Sequence, residues 1–303
     1  MALKDVKAKI QATNRTHKVT RAMEAVSAVK MRKTQQTALK GRAYARAALS
    51  ILARLSGSRS FTRHPLFRAK AEVKKLALVV ITSDKGLAGS LNSGVIKAAA
   101  EAIKDRPQDS VVVYAYGRKG EEYFSRRGYR MEKVFSNKAD DIDIRGMEEL
   151  AGELSAGFVS GLFDEAVAVY SNFKSTFEQV PTVRKLLPLS LAGLEQTVRE
   201  IVPEKGKFSG DRSIEAPPAY EVESSRGEVL DVLVPRLVAV SIYHMLLETK
   251  AAEHSARMVA MKNASDKSKE VARDLTRTYN KIRQAAITRE VSEIVSGREA
   301  LAE

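Results

Sequence analysis

Apolar side chains recur along the last quarter of the chain at alternating steps of three and four residues. The seam reads Met258, Met261, Ser265, Ser268, Ala272, Leu275, Tyr279, Ile282 and Ala286, and runs backwards through His254, Ala251, Leu247, His244, Val240 and Leu237. A 3.5-residue repeat on a helix of 3.6 residues per turn drifts around the axis, so it predicts left-handed supercoiling about a second helix. Ala, Ser and His at several seam positions predict weaker packing than Leu or Ile would give. No glycine falls between Gly227 and Gly297, and the one proline there, Pro235, sits where a helix can start. Residues 236–296 therefore predict a helix of roughly 60 residues, about 90 Å long at ~1.5 Å per residue.

A second arm occupies the other end of the chain. Residues 3–55 contain no proline and one glycine, Gly41. Leu3, Val6 and Ile10 keep the alternating spacing, and Thr13 and His17 weaken it. Ala22, Met23, Val26 and Val29 then take over, followed by Leu39, Ala43, Leu49, Ile51 and Leu52. Two arms flanking a middle of different character predict an antiparallel coiled coil. The C-terminal arm is longer by roughly ten residues, about 15 Å of helix. Its tip, Ile287, Val291, Ile294 and Val295, is predicted to lack an intrachain partner and to bury itself against another protein.

The middle changes period. Residues 76–82 (LALVVIT) and 111–116 read as buried strands and 166–170 as another, with 176–189 as a further strand pair. Helical patterns fall at 93–104, at 118–127 closed by Gly128, and at 147–163. Alternating strands and helices predict a parallel sheet covered by helices. The fold class is α/β: a long antiparallel coiled coil of the N- and C-terminal helices with a central Rossmann-like α/β domain. The expected domains are 1–57, 58–225 and 226–303. Residues 204–227, rich in Pro, Gly, Ser and charge, read as a loop.

Charge adds direction. The chain carries a net charge of +14, and residues 1–56 alone hold 13 Lys and Arg against Asp5 and Glu24. Such a stripe predicts an acidic partner or nucleic acid, although few aromatics are placed for stacking on bases. A basic coiled-coil nucleic-acid-binding protein is therefore the alternative function. Cysteine is absent, which excludes disulfides, thiolate nucleophiles and Cys-based zinc sites. No run approaches the ~18 apolar residues of a membrane span. The basic, amphipathic first 23 residues resemble a presequence in composition, but the helical pattern runs unbroken through them and they read as mature structure.

Candidate chemistry is sparse. The loop Asp84-Lys85-Gly86-Leu87-Ala88-Gly89 stands where a doubly wound sheet binds nucleotides, yet it fits neither GxGxxG nor GxxxxGK[ST]. Gly206-Lys207 fails the same test, and residues 157–161 (GFVSG) miss the GxSxG elbow. His17, His244 and His254 fall at or near helix seams and His64 precedes a proline, so they read as core or surface side chains. Asp140, Asp141 and Asp143 read as a solvated loop. No catalytic, cofactor or metal site is expected.

Several stretches, in order along the whole chain, resemble the gamma subunits of F-type ATP synthases. They are Thr20-Arg21-Ala22-Met23-Glu24, Lys30-Met31-Arg32-Lys33, Ser83 with the loop through Gly89, the GRKG of residues 117–120, Leu186-Leu187-Pro188-Leu189, and the terminal NKIRQAAITRE of residues 280–290 with Glu293-Ile294-Val295-Ser296-Gly297. The resemblance implies a non-catalytic central shaft, one copy per complex, that turns inside a head of alpha and beta subunits. Its foot would stand against epsilon and the c-ring, coupling ion flow to ATP synthesis or hydrolysis without entering the membrane or binding nucleic acid. It further implies that Met23, Lys30, Lys33, Gly86 and Leu87 face the acidic lever of a beta subunit. Arg283, Gln284 and Thr288 would meet the beta catch loop, Val291, Ile294 and Val295 an apolar sleeve, and Tyr220 and Glu223 the c-ring. Arg298 departs from the family's usual Ala, and Ser265-Asp266-Lys267-Ser268 replaces a more apolar run, which predicts a looser coil midway. The absence of both a presequence and a Cys-containing insert points to the cytoplasmic face of a bacterial plasma membrane.

Overall fold

The structure is a computed structural model that describes residues 3–55, 61, 63–138, 142, 144–200 and 225–300. The break at 56–60, the acidic cluster Asp140, Asp141 and Asp143, the Gly206-Lys207 pair, Tyr220 and Glu223 lie outside the described residues. The chain divides into two compact units, Met1–Val26 with Met258–Glu303, and Ser27–Arg257.

Helix α1 spans Leu3–Leu55. In the first unit its buried or half-buried positions are Leu3, Val6, Ile10, Thr13, His17 and Thr20, then Met23 and Glu24. In the second unit the same alternation reads Ser27, Met31, Thr34, Ala38, Gly41, Ala45, Ala48, Leu52 and Leu55. The expected takeover by Ala22, Val26 and Val29 is corrected: Ala22 faces solvent, and Val26 and Val29 are 52% and 67% exposed. Small hydroxyl side chains carry the seam instead. Thr20 and Thr34 donate to the carbonyls of Thr16 and Lys30 one turn back, at 2.9 and 3.0 Å. Their polar groups are thus satisfied within the helix, and their methyl groups are left to pack.

Helix α6 spans Arg226–Ala300. It starts ten residues before the expected position, so Pro235 lies inside it. The missing proline N–H leaves the Asp231 carbonyl without its helical donor, and Asp231 is exposed, so water can take that place. In the first unit Met261, Ser265, Ser268, Ala272, Leu275, Tyr279 and Ile282 are buried or half-buried as the seam predicts. Ala286 is exposed, so the seam ends one step early.

In the second unit α1 and α6 run antiparallel. Met31 shares a small core with Ala251 and Ala252, Gly41 faces Tyr243, and Tyr44 and Ile51 lie with Glu228 and Val232. The stretch Gly227–Ser296 of α6 contains an 18-residue window of mean hydropathy 1.6, long and apolar enough by composition to cross a membrane. Half of that window is buried within the fold. Leu230, Val234, Leu237, Val238 and Ile242 belong to the core, so this is the core helix of the unit. Asp231 and Arg236 interrupt the run in the sequence and hide its average.

The sheet comprises β1 (Leu76–Ile81), β2 (Val111–Tyr116), β3 (Arg130–Phe135), β4 (Glu165–Ser175) and β5 (Glu178–Leu187). Its order is β3-β2-β1-β4-β5. The first four strands are parallel, and β5 returns antiparallel to β4. The expected parallel sheet holds for β1 to β4, and the strand pair expected at 176–189 is corrected: these residues supply one strand, β5, whose partner is β4. β3, with its half-exposed polar alternation, and helix α5 (Leu191–Glu200) were not foreseen. Helices α2 (Leu91–Ala102), α3 (Arg118–Ser125) and α4 (Ile144–Ser160) complete the unit.

Both faces of the sheet are covered, which explains the unbroken apolar runs in β1 and β2. Ala77, Val79 and Ile81 point into a core shared with α1, α4 and α6, while Leu76, Leu78 and Val80 meet Val95 and Ala99 of α2 and Phe124 of α3.

Candidate functional site

The carboxyl end of β1 runs into Thr82, Ser83 and Asp84, all buried. Thr82 Oγ1 accepts the N–H of Gly120 at 2.9 Å. One oxygen of Asp84 accepts the N–H of Arg118 at 2.7 Å, and the other accepts the N–H of Asn137 and the Ser136 hydroxyl, both at 3.2 Å. Asp84 therefore ties together the ends of β1, β2 and β3. This is a structural use of an acidic residue that sequence alone leaves as part of a loop. Ser83 N–H donates to the Asn92 side chain at 3.0 Å, which pins the loop to the first turn of α2. Beyond it Leu87 adopts φ 62° and is 63% exposed, and Gly89 adopts φ 56°. A left-handed Leu is unusual, because its Cβ crowds the following carbonyl.

Open α/β sheets bind ligands in the crevice outside the carboxyl ends of their strands. Here the chain fills that crevice with its own helix. Phe173 N–H of β4 donates to Glu248 at 2.8 Å, and Ser171 N–H donates to the Thr249 hydroxyl at 3.3 Å. Lys250 Nζ donates to the Asn137 carbonyl at 2.8 Å. Arg257 donates to the Gly86 carbonyl at 3.2 Å and to Glu253 Oε1 at 2.7 Å. These α6 side chains are each buried, so the crevice is filled by protein.

The residues expected to meet partners fall on both units. On the first, Met23 is half-buried, whereas Arg283, Gln284 and Thr288 are exposed on α6. Thr288 donates to the Gln284 carbonyl at 3.0 Å. Ile287, Val291, Ile294 and Val295 are 50 to 70% exposed, and they lie beyond the last seam residue. On the second unit Lys30 is half-buried, and Lys33, Gly86 and Leu87 are exposed. Met31, next to Lys30, joins Ala88, Leu91 and Phe173 in one small core, which brings this turn of α1 and the 84–89 loop to the same end of the sheet.

The histidines are structural. His64 Nδ1 accepts the N–H of Leu66 at 3.3 Å, and its Nε2 lies 3.7 Å from Asp231; burial lowers its pKa while Asp231 opposes. His244, fully enclosed, is pulled down to about 3 by burial and by Arg184. His17 Nδ1 lies 3.0 Å from the Ser265 carbonyl and 2.9 Å from its hydroxyl. Among the described residues no group of three metal-ligating side chains occurs.

Two surface features escaped the sequence. Phe177, in the β4–β5 turn, is 80% exposed; the only sequence signal is an aromatic residue between Thr176 and Glu178. A groove of about 610 Å³ is lined by Tyr44, Met147, Ala151, Ala239, Val240 and Tyr243 among others. No local pattern announces it, since its walls come from three helices distant in sequence.

Known proteins resemble this chain along nearly its whole length. ATP synthase gamma chains of Roseiflexus castenholzii and Chlorobium phaeobacteroides are 39% and 38% identical, each aligned over 99% of this chain and 98% of the relative. That of Heliobacterium modesticaldum is 36% identical, over 99% of both. Among solved structures, a chain of the Tetrahymena thermophila mitochondrial ATP synthase central stalk and c-ring matches with TM-score 0.60 and 24% identity, over 82% of this chain and 99% of its own. One from the Euglena gracilis mitochondrial assembly of OSCP, F1 and c-ring matches with TM-score 0.63 and 17% identity, over 99% and 94%. These two speak for the fold alone. A family model described as ATP synthase covers residues 2–301, and with relatives this similar along their whole length the chain belongs to the ATP synthase gamma-chain family.

Proposed function

We propose that this gamma subunit, the central stalk of an F-type ATP synthase, works as a rotating shaft whose changing face sets the state of each beta subunit in turn. Catalysis belongs to the beta subunits of the complex, and the shaft acts by differential contact: each orientation stabilises one conformation of its neighbour over another. The arms 1–57 and 226–303 form the shaft and 58–225 the foot. The observation that carries this reading is the far end of α6, where Ile287, Val291, Ile294 and Val295 stand exposed beyond the last seam residue. An apolar stripe left exposed among the described residues fits a protein surface that receives it.

In this reading Arg283, Gln284 and Thr288 meet a catch loop of a beta subunit, and Val291, Ile294 and Val295 turn in an apolar sleeve. Met23, Lys30, Lys33, Gly86 and Leu87 face the acidic beta lever, with single exposed ion pairs each worth under about 1 kcal/mol. The foot stands on epsilon and the c-ring, near Tyr220 and Glu223. One copy serves each complex, at the cytoplasmic face of a bacterial plasma membrane.

The test is reconstitution with alpha and beta subunits. The chain should convert them into a stable ATP-hydrolysing complex, and Arg283→Ala with Gln284→Ala should weaken it. Failure to assemble or to change turnover would contradict the reading.

A further inference from the structure

The side chains that fill the sheet crevice are an unusual choice for a helix that needs only to pack. Lys250 is 2% exposed, Glu253 3% and Arg257 8%. Lys250 Nζ lies 3.7 Å from Glu253 Oε2, and Arg257 holds the other oxygen. Burying a Lys, a Glu and an Arg costs desolvation that an apolar face of similar shape avoids, so such a cluster contributes little net stability. What it does confer is a setting. Each of the two cations donates to a different part of the sheet edge: Lys250 to Asn137 beyond β3, Arg257 to Gly86 beyond β1. Glu248 and Thr249 meanwhile receive two N–H groups of β4.

A turn of α6 by one residue, about 100° around its axis, or a slide of ~1.5 Å along it, would strip these acceptors from groups that remain buried. An apolar face would tolerate either movement far better, because hydrophobic contact is not directional. Asn137 is itself fixed: its N–H donates to Asp84, and its side-chain amide donates to the Thr82 carbonyl at 2.6 Å. The acceptor of Lys250 is therefore rigidly tied to β1.

We propose that the ligand crevice of this sheet has become a socket that fixes the rotational setting of α6 against the foot, with Lys250 as the positioning residue and the Glu253–Arg257 pair supporting it. The proposal rests on the rotor reading for its purpose, since a shaft that slipped in its foot would lose angle between c-ring and head. The geometry of the socket stands apart from that reading and can be measured alone.

The chain has no cysteine, so spin labels at Asp109→Cys, beside the amino end of β2, and at Val232→Cys on α6 are unique. In the full chain the distance distribution between them should be narrow, should broaden in Lys250→Met, and should narrow again in Lys250→Arg. In the complete synthase carrying Lys250→Met, ATP hydrolysis should stay within about twofold while ion pumping per ATP, followed for protons and for sodium, falls at least fivefold, with Lys250→Arg restoring it. A merely structural lysine would lower both in step with the amount of complex assembled. Should Lys250→Met fail to fold, Glu253→Gln, nearly isosteric, carries the same expectation. An unchanged distance distribution overturns the socket. An unchanged pumping ratio in complexes with a broadened distribution overturns its role in coupling. Failure of the unsubstituted chain to assemble would instead contradict the rotor reading, and the distance measurement would still decide the socket.

Discussion

Gly117 approaches Thr82 so closely that a Cβ on the glycine would lie 2.1 Å from the Thr82 carbonyl oxygen. Its φ of 104° is also one that side chains rarely adopt. The glycine at the head of the GRKG stretch is thus required by backbone contact at the end of the sheet. Gly117→Ala should destabilise the foot by more than about 3 kcal/mol, through a clash with backbone added to conformational strain. Urea unfolding measures it, and a cost below 1 kcal/mol would show that the two strand ends separate easily.

Acid should loosen the foot in two stages. Asp164 is held down at about 2, first by Lys70 at 2.6 Å and then by the N–H groups of Lys75 and Lys74, against the opposing effect of burial. A carboxylate depressed below its unfolded value of roughly 4 stabilises above that pH, and the contribution is lost as pH falls from 4 towards 2. His244 is neutral in the fold, held so by burial and by Arg184, with Glu248 Oε1 3.9 Å from its Nε2. The unfolded chain protonates it below about 6.5, so its neutral burial weakens the fold as pH falls from 6.5 towards 3. Asp164→Asn should cost about 2 kcal/mol at pH 7 and shrink the loss below pH 4. His244→Gln should flatten the slope between pH 6.5 and 4. Unfolding midpoints at pH 7, 5 and 3.5 test both, and unchanged slopes would refute them.

His17 and Ser265 form a polar contact within the apolar seam of the first unit, and the two should be energetically coupled. Ser265→Ala alone should cost up to about 1 kcal/mol, because the half-buried imidazole loses the hydroxyl as a partner. His17→Leu with Ser265→Ala should cost less than the two singles combined. Amide hydrogen exchange over residues 261–275 reports it, and strict additivity would mean the contact carries no energy.

Both long helices were legible because neither proline nor glycine interrupts them effectively, and the α6 seam from Met258 to Ile282 followed directly from its period. The α1 seam was legible in part. Hydrophobicity favours Val26 and Val29, whereas the structure buries Ser27 and Thr34, and the Thr34 hydroxyl is satisfied within the helix itself by the Lys30 carbonyl. β1 and β2, covered on both faces, announced themselves, but β3 lies at an edge where Arg130, Glu132 and Lys133 dilute the pattern. The loop at 84–89 stands out in the sequence by its two glycines after a buried strand. Its fastening by Asp84 and Arg257 depends on partners 34 to 171 residues away, which no local motif encodes.

Leu87 pays a conformational penalty for its position, since the left-handed region costs a non-glycine residue about 1 kcal/mol. Leu87→Gly should leave the melting temperature unchanged or raise it slightly, yet lower ATP turnover in the reconstituted complex. That pairing would mark the side chain as retained for contact with a partner. A lower melting temperature with full turnover would show that it serves the fold alone.

Rotation itself is the most direct measurement. With the alpha and beta head held on a surface and a bead attached through Asp109→Cys on the foot, added ATP should drive stepwise turning of the bead in one direction. ATP hydrolysis by the same complexes with a stationary bead would contradict the account of this chain as a shaft.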